Sequence, residues 1–216
     1  MSGISSSTDP GAPSHVPVVG EPAWDLALLY PMQGAWSDVE YLSLTAGTNR
    51  LVELSDGNVE VLPMPTSSHQ RVLLFLFTQL HGFVSSKKLG EVLCAALRVR
   101  IRPGKFREPD LVFMREEHRN RIGEEYWDGA DLVMEVVSKD PESRKRDLLQ
   151  KPLDYAEGRI PEYWIVDPQE GRITVLSLKG ETYEQLGAFT PGELATSKLL
   201  EGFSVNVSEV FDAAKV

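Results

Sequence analysis

Two carboxylates and a lysine are the groups in this chain best placed to do chemistry. Asp110 stands at the mouth of an apolar run, Leu111-Val112-Phe113-Met114, and Glu135 lies inside another, LVMEVVS. An ionised carboxylate in a covered strand costs several kcal/mol unless something cationic faces it. A divalent metal shared with Asp110 would meet that need, because neighbouring strands lie about 4.8 Å apart and can bring two carboxylates onto one ion. An ion pair between Glu135 and Arg107, Lys151 or another base would meet it equally well. Asp147, Lys151 and Tyr155 follow at i, i+4 and i+8, on one helical face. That spacing lets Lys151 point back toward the strand ends, where an ammonium orients a water and offsets charge on a phosphoryl oxygen. It equally describes a solvated salt-bridge stripe. Pro152 removes a helical hydrogen bond beside Lys151, so the helix either kinks there or restarts with the proline near its first turn.

The elements that must position these groups can be read from periodicity and punctuation. Residues 1–22 are rich in Ser, Gly and Pro and read as a disordered or loosely packed arm, leaving 23–216 as a single domain. Ser37 to Glu40 is a capping box ahead of a short helix. The apolar runs 51–54 and 59–62 flank Asp56-Gly57-Asn58 and read as a hairpin. A helix is expected over 69–81, broadly apolar through Val72, Leu73, Phe75, Leu76, Phe77 and Leu80. Strands are expected over 92–101, 111–114, 130–137 and 160–166, with charged helix over 140–157 between the last two. The run 130–137 is nearly continuous in apolar residues, as central strands covered on both faces are. A second hairpin is expected at 173–178 and 182–186, then a short strand and helical turn over 203–211. Tyr163 and Trp164 read as core, and Asp167-Pro168 as a turn. The order predicts an α/β (α+β) domain.

The whole composition sets limits. Among 216 residues, 22 are basic and 32 acidic, a net charge of −10, which argues against non-specific coating of nucleic acid without excluding a local basic groove. Arg98, Arg100 and Arg102 alternate along one strand and share a face, Lys105 and Arg107 follow, and no acid falls within 98–107. This is a track for phosphates, or a solvated edge strand protected by its charge. Arg144, Lys145 and Arg146 form a second basic patch. One cysteine, Cys94, allows no internal disulfide and suits a reducing compartment. The longest aliphatic and aromatic run, 72–77, is far short of a bilayer span, and the N-terminus has no signal-peptide pattern, so the expectation is a soluble cytoplasmic protein without a membrane partner.

Taken in order, REPDLVF, ADLVMEVVS, RD-x3-K-x3-Y-A-x-G and IPEYWIVDP, with LVELSDGNVEVLPMPTSSHQ upstream, resemble the Uma-type (DUF820-like) restriction endonuclease family of the PD-(D/E)XK nuclease superfamily. The resemblance covers about residues 35–211. It implies a restriction-endonuclease-like core, a mixed central β-sheet flanked by helices, with an added N-terminal hairpin and C-terminal strands. It implies that Asp110 is the motif Asp, Glu135 the motif acid, and Lys151 the lysine, since Val137 stands where the superfamily has it. His69 and Gln70 match a His-containing helix start, which makes His69 a catalytic candidate, with helix capping or a core hydrogen bond as its plainer role; Glu53 matches an acidic hairpin position, with a surface strand pair as its plainer role. The implied activity is Mg²⁺- or Mn²⁺-dependent hydrolysis of DNA, with Asp110, Glu135 and the Val136 carbonyl as metal ligands, Arg98, Arg100, Arg102, Lys105 and Arg107 on the nucleic acid, and a homodimer. Two other readings fit the same residues: a nuclease-fold interaction module without turnover, and a metal-dependent hydrolase of a small phosphate ester.

Overall fold

The computed structural model describes residues 30–48 and 50–215. The arm expected over 1–22 lies outside the described residues. Helix α1 (Asp38–Ala46) starts at Ser37 with both bonds of the expected capping box. It leads into the hairpin β1 (Val52–Ser55) and β2 (Asn58–Val61), paired antiparallel with Glu53 opposite Glu60. Helix α2 (Ser67–Lys87) runs past the expected 69–81. Phe83 and Val84 continue its apolar face beyond Gly82, and it stops where Lys88 turns left-handed at φ 54°.

The expected strand 92–101 is two strands in two sheets. β3 (Gly90–Cys94) pairs with β6 (Leu111–Arg115), whereas β4 (Val99–Arg102) pairs with β5 (Lys105–Arg107) and β7 (Trp127–Asp128). The apolar pattern is similar on both sides of Ala95-Ala96, so local sequence does not reveal the change of partner. The small sheet has the order β2-β1-β5-β4-β7, so the expected hairpin is two strands of a five-stranded layer.

The large sheet is completed by β8 (Leu132–Val136), β9 (Glu162–Asp167), β10 (Arg172–Lys179) and β11 (Thr182–Phe189), in the order β11-β10-β9-β8-β6-β3. Only β8 and β9 run parallel, so the sheet is mixed. Every residue of β8 is buried, as its unbroken apolar run predicts. One face of this sheet, with Leu111, Phe113, Leu132 and Met134, packs on Val72, Leu73, Leu76 and Leu80 of α2. The other, with Val112, Met114, Val133 and Tyr163, packs on Tyr155 and on Val99 and Trp127 of the small sheet.

Residues 141–157 wind as helix α3 (Pro141–Lys145), a π turn over Arg146–Gln150, and helix α4 (Lys151–Glu157). Pro152 cannot donate to a carbonyl one α-turn back, and the wider turn ahead of it absorbs that loss. The helix therefore restarts at Lys151 with the proline in its first turn. A two-stranded ladder, β12 (Leu194–Thr196) with β13 (Ser204–Asn206), and helix α5 (Val207–Asp212) close the chain. Among the described residues no helix is long and apolar enough to cross a membrane.

Candidate active site

The chain passes from the small sheet to the large one through Glu108-Pro109-Asp110, between β5 and β6. Leu111 of β6 stands opposite Met134 of β8, so the antiparallel register continued by one residue sets Asp110 opposite Glu135. The two motif acids are brought side by side. The Val136 N–H donates to Asp110 Oδ2 at 2.7 Å, pinning the Asp110 carboxylate to the end of β8. His69, in the first turn of α2, places Nε2 3.1 Å from the same oxygen. Burial works against the imidazolium, but the Asp110 carboxylate, Glu135 and the Val136 carbonyl outweigh it, so the His69 pKa lies above its ordinary value. Thr66, rather than His69, caps α2 through its side chain.

Glu135 is 3% exposed and meets two donors on Oε1: the Lys151 ammonium at 2.7 Å and the Tyr155 hydroxyl. Lys151 also lies 3.3 Å from Asp147 and 3.8 Å from Glu53. The face written as Asp147, Lys151, Tyr155 thus turns inward onto Glu135 and is not a solvated stripe. Burial pushes the Glu135 carboxyl up to about 8 against the opposing pull of Lys151, and burial raises Asp147 as well. Burial alone would lower Lys151, but the three surrounding carboxyls hold it firmly protonated.

Beneath these groups Glu53, fully buried on β1, accepts from Arg107 at 2.7 Å and from the Glu108 N–H at 3.1 Å. Burial would raise its pKa, yet Lys151, Arg107 and the Glu108 N–H leave it lowered, so it is an ionised member of the site floor. Gln70 follows His69 into α2 and donates its backbone N–H to Thr66.

The basic residues behave differently from a phosphate track. Arg100 and Arg102 alternate with buried Val99 and Ile101 on β4, and Arg98 stands just before it, but the structure engages all three with the chain itself. Arg98 reaches the Thr45 carbonyl at 3.5 Å, Arg100 pairs with Asp128 at 2.9 Å, and Arg102 pairs with Asp56 and Glu157, each at 2.7 Å. Lys105 and Arg107 are buried, on Asp154 and Glu157 and on Glu53 and Asp154. The expectation that these two face a nucleic acid is corrected: both lie inside an ion-paired layer between β5 and α4. Reading 98–107 as free of acids missed that the facing helix and hairpin supply them. In the second patch, Arg144 grips Asp167 and Arg146 reaches Glu60 at 2.6 Å, leaving Lys145 exposed.

The crevice between these groups has a volume of about 40 Å³, room for an ion and a water or two but not a nucleotide. Four carboxyls line it (Glu108, Asp110, Glu135, Asp147), together with Arg146, Lys151 and the His69 imidazole. Among the described residues no three His, Cys, Asp or Glu side chains are drawn into a ready-made metal cage. A Mg²⁺ ion needs only one or two carboxylates and keeps its other waters. The contacts of Asp110 fall on Oδ2 and those of Glu135 on Oε1, so each carboxylate keeps a second oxygen for a ligand. The donor set therefore fits such an ion. Beside the crevice, sharing His69 and Val136, lies an apolar cavity of about 320 Å³ walled by Pro63, Met64, Val137 and Pro168.

A mixed sheet with two carboxylates, Glu135 buried and Asp110 half-buried, at the adjoining ends of two strands, faced by a lysine from the next helix, makes an α+β fold. Its fold matches the crystal structure of a "putative nuclease belonging to DUF820" from Anabaena variabilis, with a TM-score of 0.69 and 17% identity over 83% of this chain and 99% of that one. The chain belongs to the Uma2 family, described as "Putative restriction endonuclease", whose model matches residues 38–208. No curated protein matches. Family and fold together support a nuclease-like function.

Proposed function

We propose that the protein is a metal-dependent nuclease hydrolysing phosphodiester bonds of DNA at the crevice formed by Asp110, Glu135 and Lys151. The observation that carries this reading is the side-by-side placement of Asp110 and Glu135, with Lys151 Nζ 2.7 Å from Glu135, in one crevice. Asp110 and Glu135, with the Val136 carbonyl, would hold Mg²⁺ or Mn²⁺, which when bound lowers the pKa of a coordinated water and screens the phosphate. Lys151, steadied by Asp147, orients the attacking water and offsets charge developing on the phosphoryl oxygens. His69 holds the Asp110 carboxylate in place. The adjoining apolar cavity receives the sugar or base next to the scissile phosphate. A homodimer would present two such crevices to a duplex, and sedimentation of the purified protein tests that part.

The engaged basic residues give one observation in favour of a second reading, a hydrolase of small phosphate esters, which needs no phosphate track. The deciding experiment is Mn²⁺- and Mg²⁺-dependent cleavage of plasmid and single-stranded DNA at low salt, with a small aryl phosphate as parallel substrate. We expect DNA cutting by wild type that falls at least about a hundredfold in Glu135→Ala. A folded wild type that cuts neither DNA form with either metal would sink the nuclease reading, and turnover of the aryl phosphate alone would install the second.

A further inference from the structure

Glu108 does no work in the mechanism above, yet it is the most anomalous group beside it. The residue is 6% exposed, and its Oε2 has no hydrogen-bond partner. A buried carboxylate oxygen left in that state is costly unless something outside the chain completes it. Among the described residues no cation hydrogen-bonds that oxygen, although Arg98 and Lys151 act on the Glu108 charge from nearby. Arg107, its neighbour in sequence, turns to Glu53 and Asp154. Lys151 is taken by Glu135 and Asp147, and Arg146 by Glu60 and Ser143. Glu53, which accepts the Glu108 N–H at 3.1 Å, adds another carboxylate to its surroundings.

Position is as telling as isolation. Glu108 lines the same crevice as Asp110 and Glu135. Pro109 restricts the residue before it to extended backbone, and two residues along an extended chain return to the same face, so Glu108 and Asp110 look the same way. Asp110 in turn stands opposite Glu135. The sequence Glu-Pro-Asp thus delivers two carboxylates to one side of the sheet junction, and β8 delivers the third.

We propose that Glu108 is a third carboxylate ligand of this crevice, acting with Asp110 and Glu135 on one divalent cation of the oxygen-preferring class, Mg²⁺, Mn²⁺ or Ca²⁺. The inference rests on the reading of Asp110 and Glu135 as metal-binding residues. The three carboxyls are not closed into a cage in this arrangement.

Calorimetric titration of Ca²⁺ and of Mn²⁺ into the full chain tests this without any substrate. Glu108→Gln keeps the shape and removes the charge, and should weaken binding at least about tenfold while retaining the fold by circular dichroism. Glu108→Asp keeps the charge on a shorter arm and should bind more tightly than Glu108→Gln. It serves as the second comparison should the glutamine variant fold poorly. Affinity in Glu108→Gln within about twofold of wild type, with binding lost in Asp110→Asn, would overturn the role of Glu108 and leave the metal reading standing. A folded wild type that binds neither ion would overturn both.

Discussion

Lys151 is held by three carboxyls and water scarcely reaches it: its side chain is 3% exposed and Glu53 below it is wholly buried. Taking away one member of a buried ion pair costs more than the pair contributes, because the remaining charges keep their desolvation penalty. Lys151→Met, close in length and uncharged, should therefore lose about 3 kcal/mol of stability in urea denaturation. A loss near zero would mean that the surrounding carboxyls simply take up protons and that the lysine is kept for another purpose. Tyr155 belongs to the same knot. Its hydroxyl donates to Glu135 and its ring packs edge-on against Tyr163 at 5.0 Å, so the carboxylate is gripped by the helix from two successive turns.

At the scale of elements, the end of β9 is tied to α3 by one bidentate contact. Arg144 donates to both oxygens of Asp167 at 3.0 and 2.8 Å, and the N–H groups of Gln169 and Glu170 add to Oδ1. Burial would raise the Asp167 pKa, but these donors outweigh it and leave it lowered. A carboxyl depressed in the folded state stabilises the fold above its unfolded pKa, about 3.9, and loses that contribution as pH falls through the folded value. Stability measured from pH 5 down to pH 2 should therefore fall less steeply in Asp167→Asn than in wild type. Parallel curves would show that the contact is not felt in stability. Much at this scale was legible: the two hairpins, α2 and the strands carrying Asp110 and Glu135 follow from apolar periodicity and turn residues. β5 was not, since Lys105-Phe106-Arg107 carries its charges inward, against the usual sense of the pattern. The split of 92–101 was not, because which sheet a strand joins is decided by distant partners. Within the site, Asp110, Glu135 and Lys151 stood out by type and spacing. Glu108 did not, because an unpartnered oxygen is a property of everything around it.

Across the molecule, the small sheet is joined to α4 by a layer of buried charge. Arg107 on β5 reaches Glu53 on β1 and Asp154 on α4, and Lys105 reaches Asp154 and Glu157. This layer adds to the apolar contact that Val99 and Trp127 make with the large sheet, and its integrity decides whether the small sheet stays docked on α4. Arg107→Met should cost about 3 kcal/mol or more. It should also release amide protection in β1, β2 and β5 while β8 and β9 keep theirs, as measured by hydrogen exchange. Uniform loss across both sheets would show that they open as one unit.

The π turn over Arg146–Gln150 has a consequence for anyone who edits this chain. Each residue of an α-helix advances the winding by about 100°. The wide turn spends one residue more than an ordinary turn would, so its length sets the angular phase between Arg144, which grips Asp167, and Lys151, which grips Glu135. Deleting a residue to tidy the helix would leave its amino acids almost unchanged on paper. The two anchors could then no longer be seated together: the tumbler that aligns the lock would be filed one notch short.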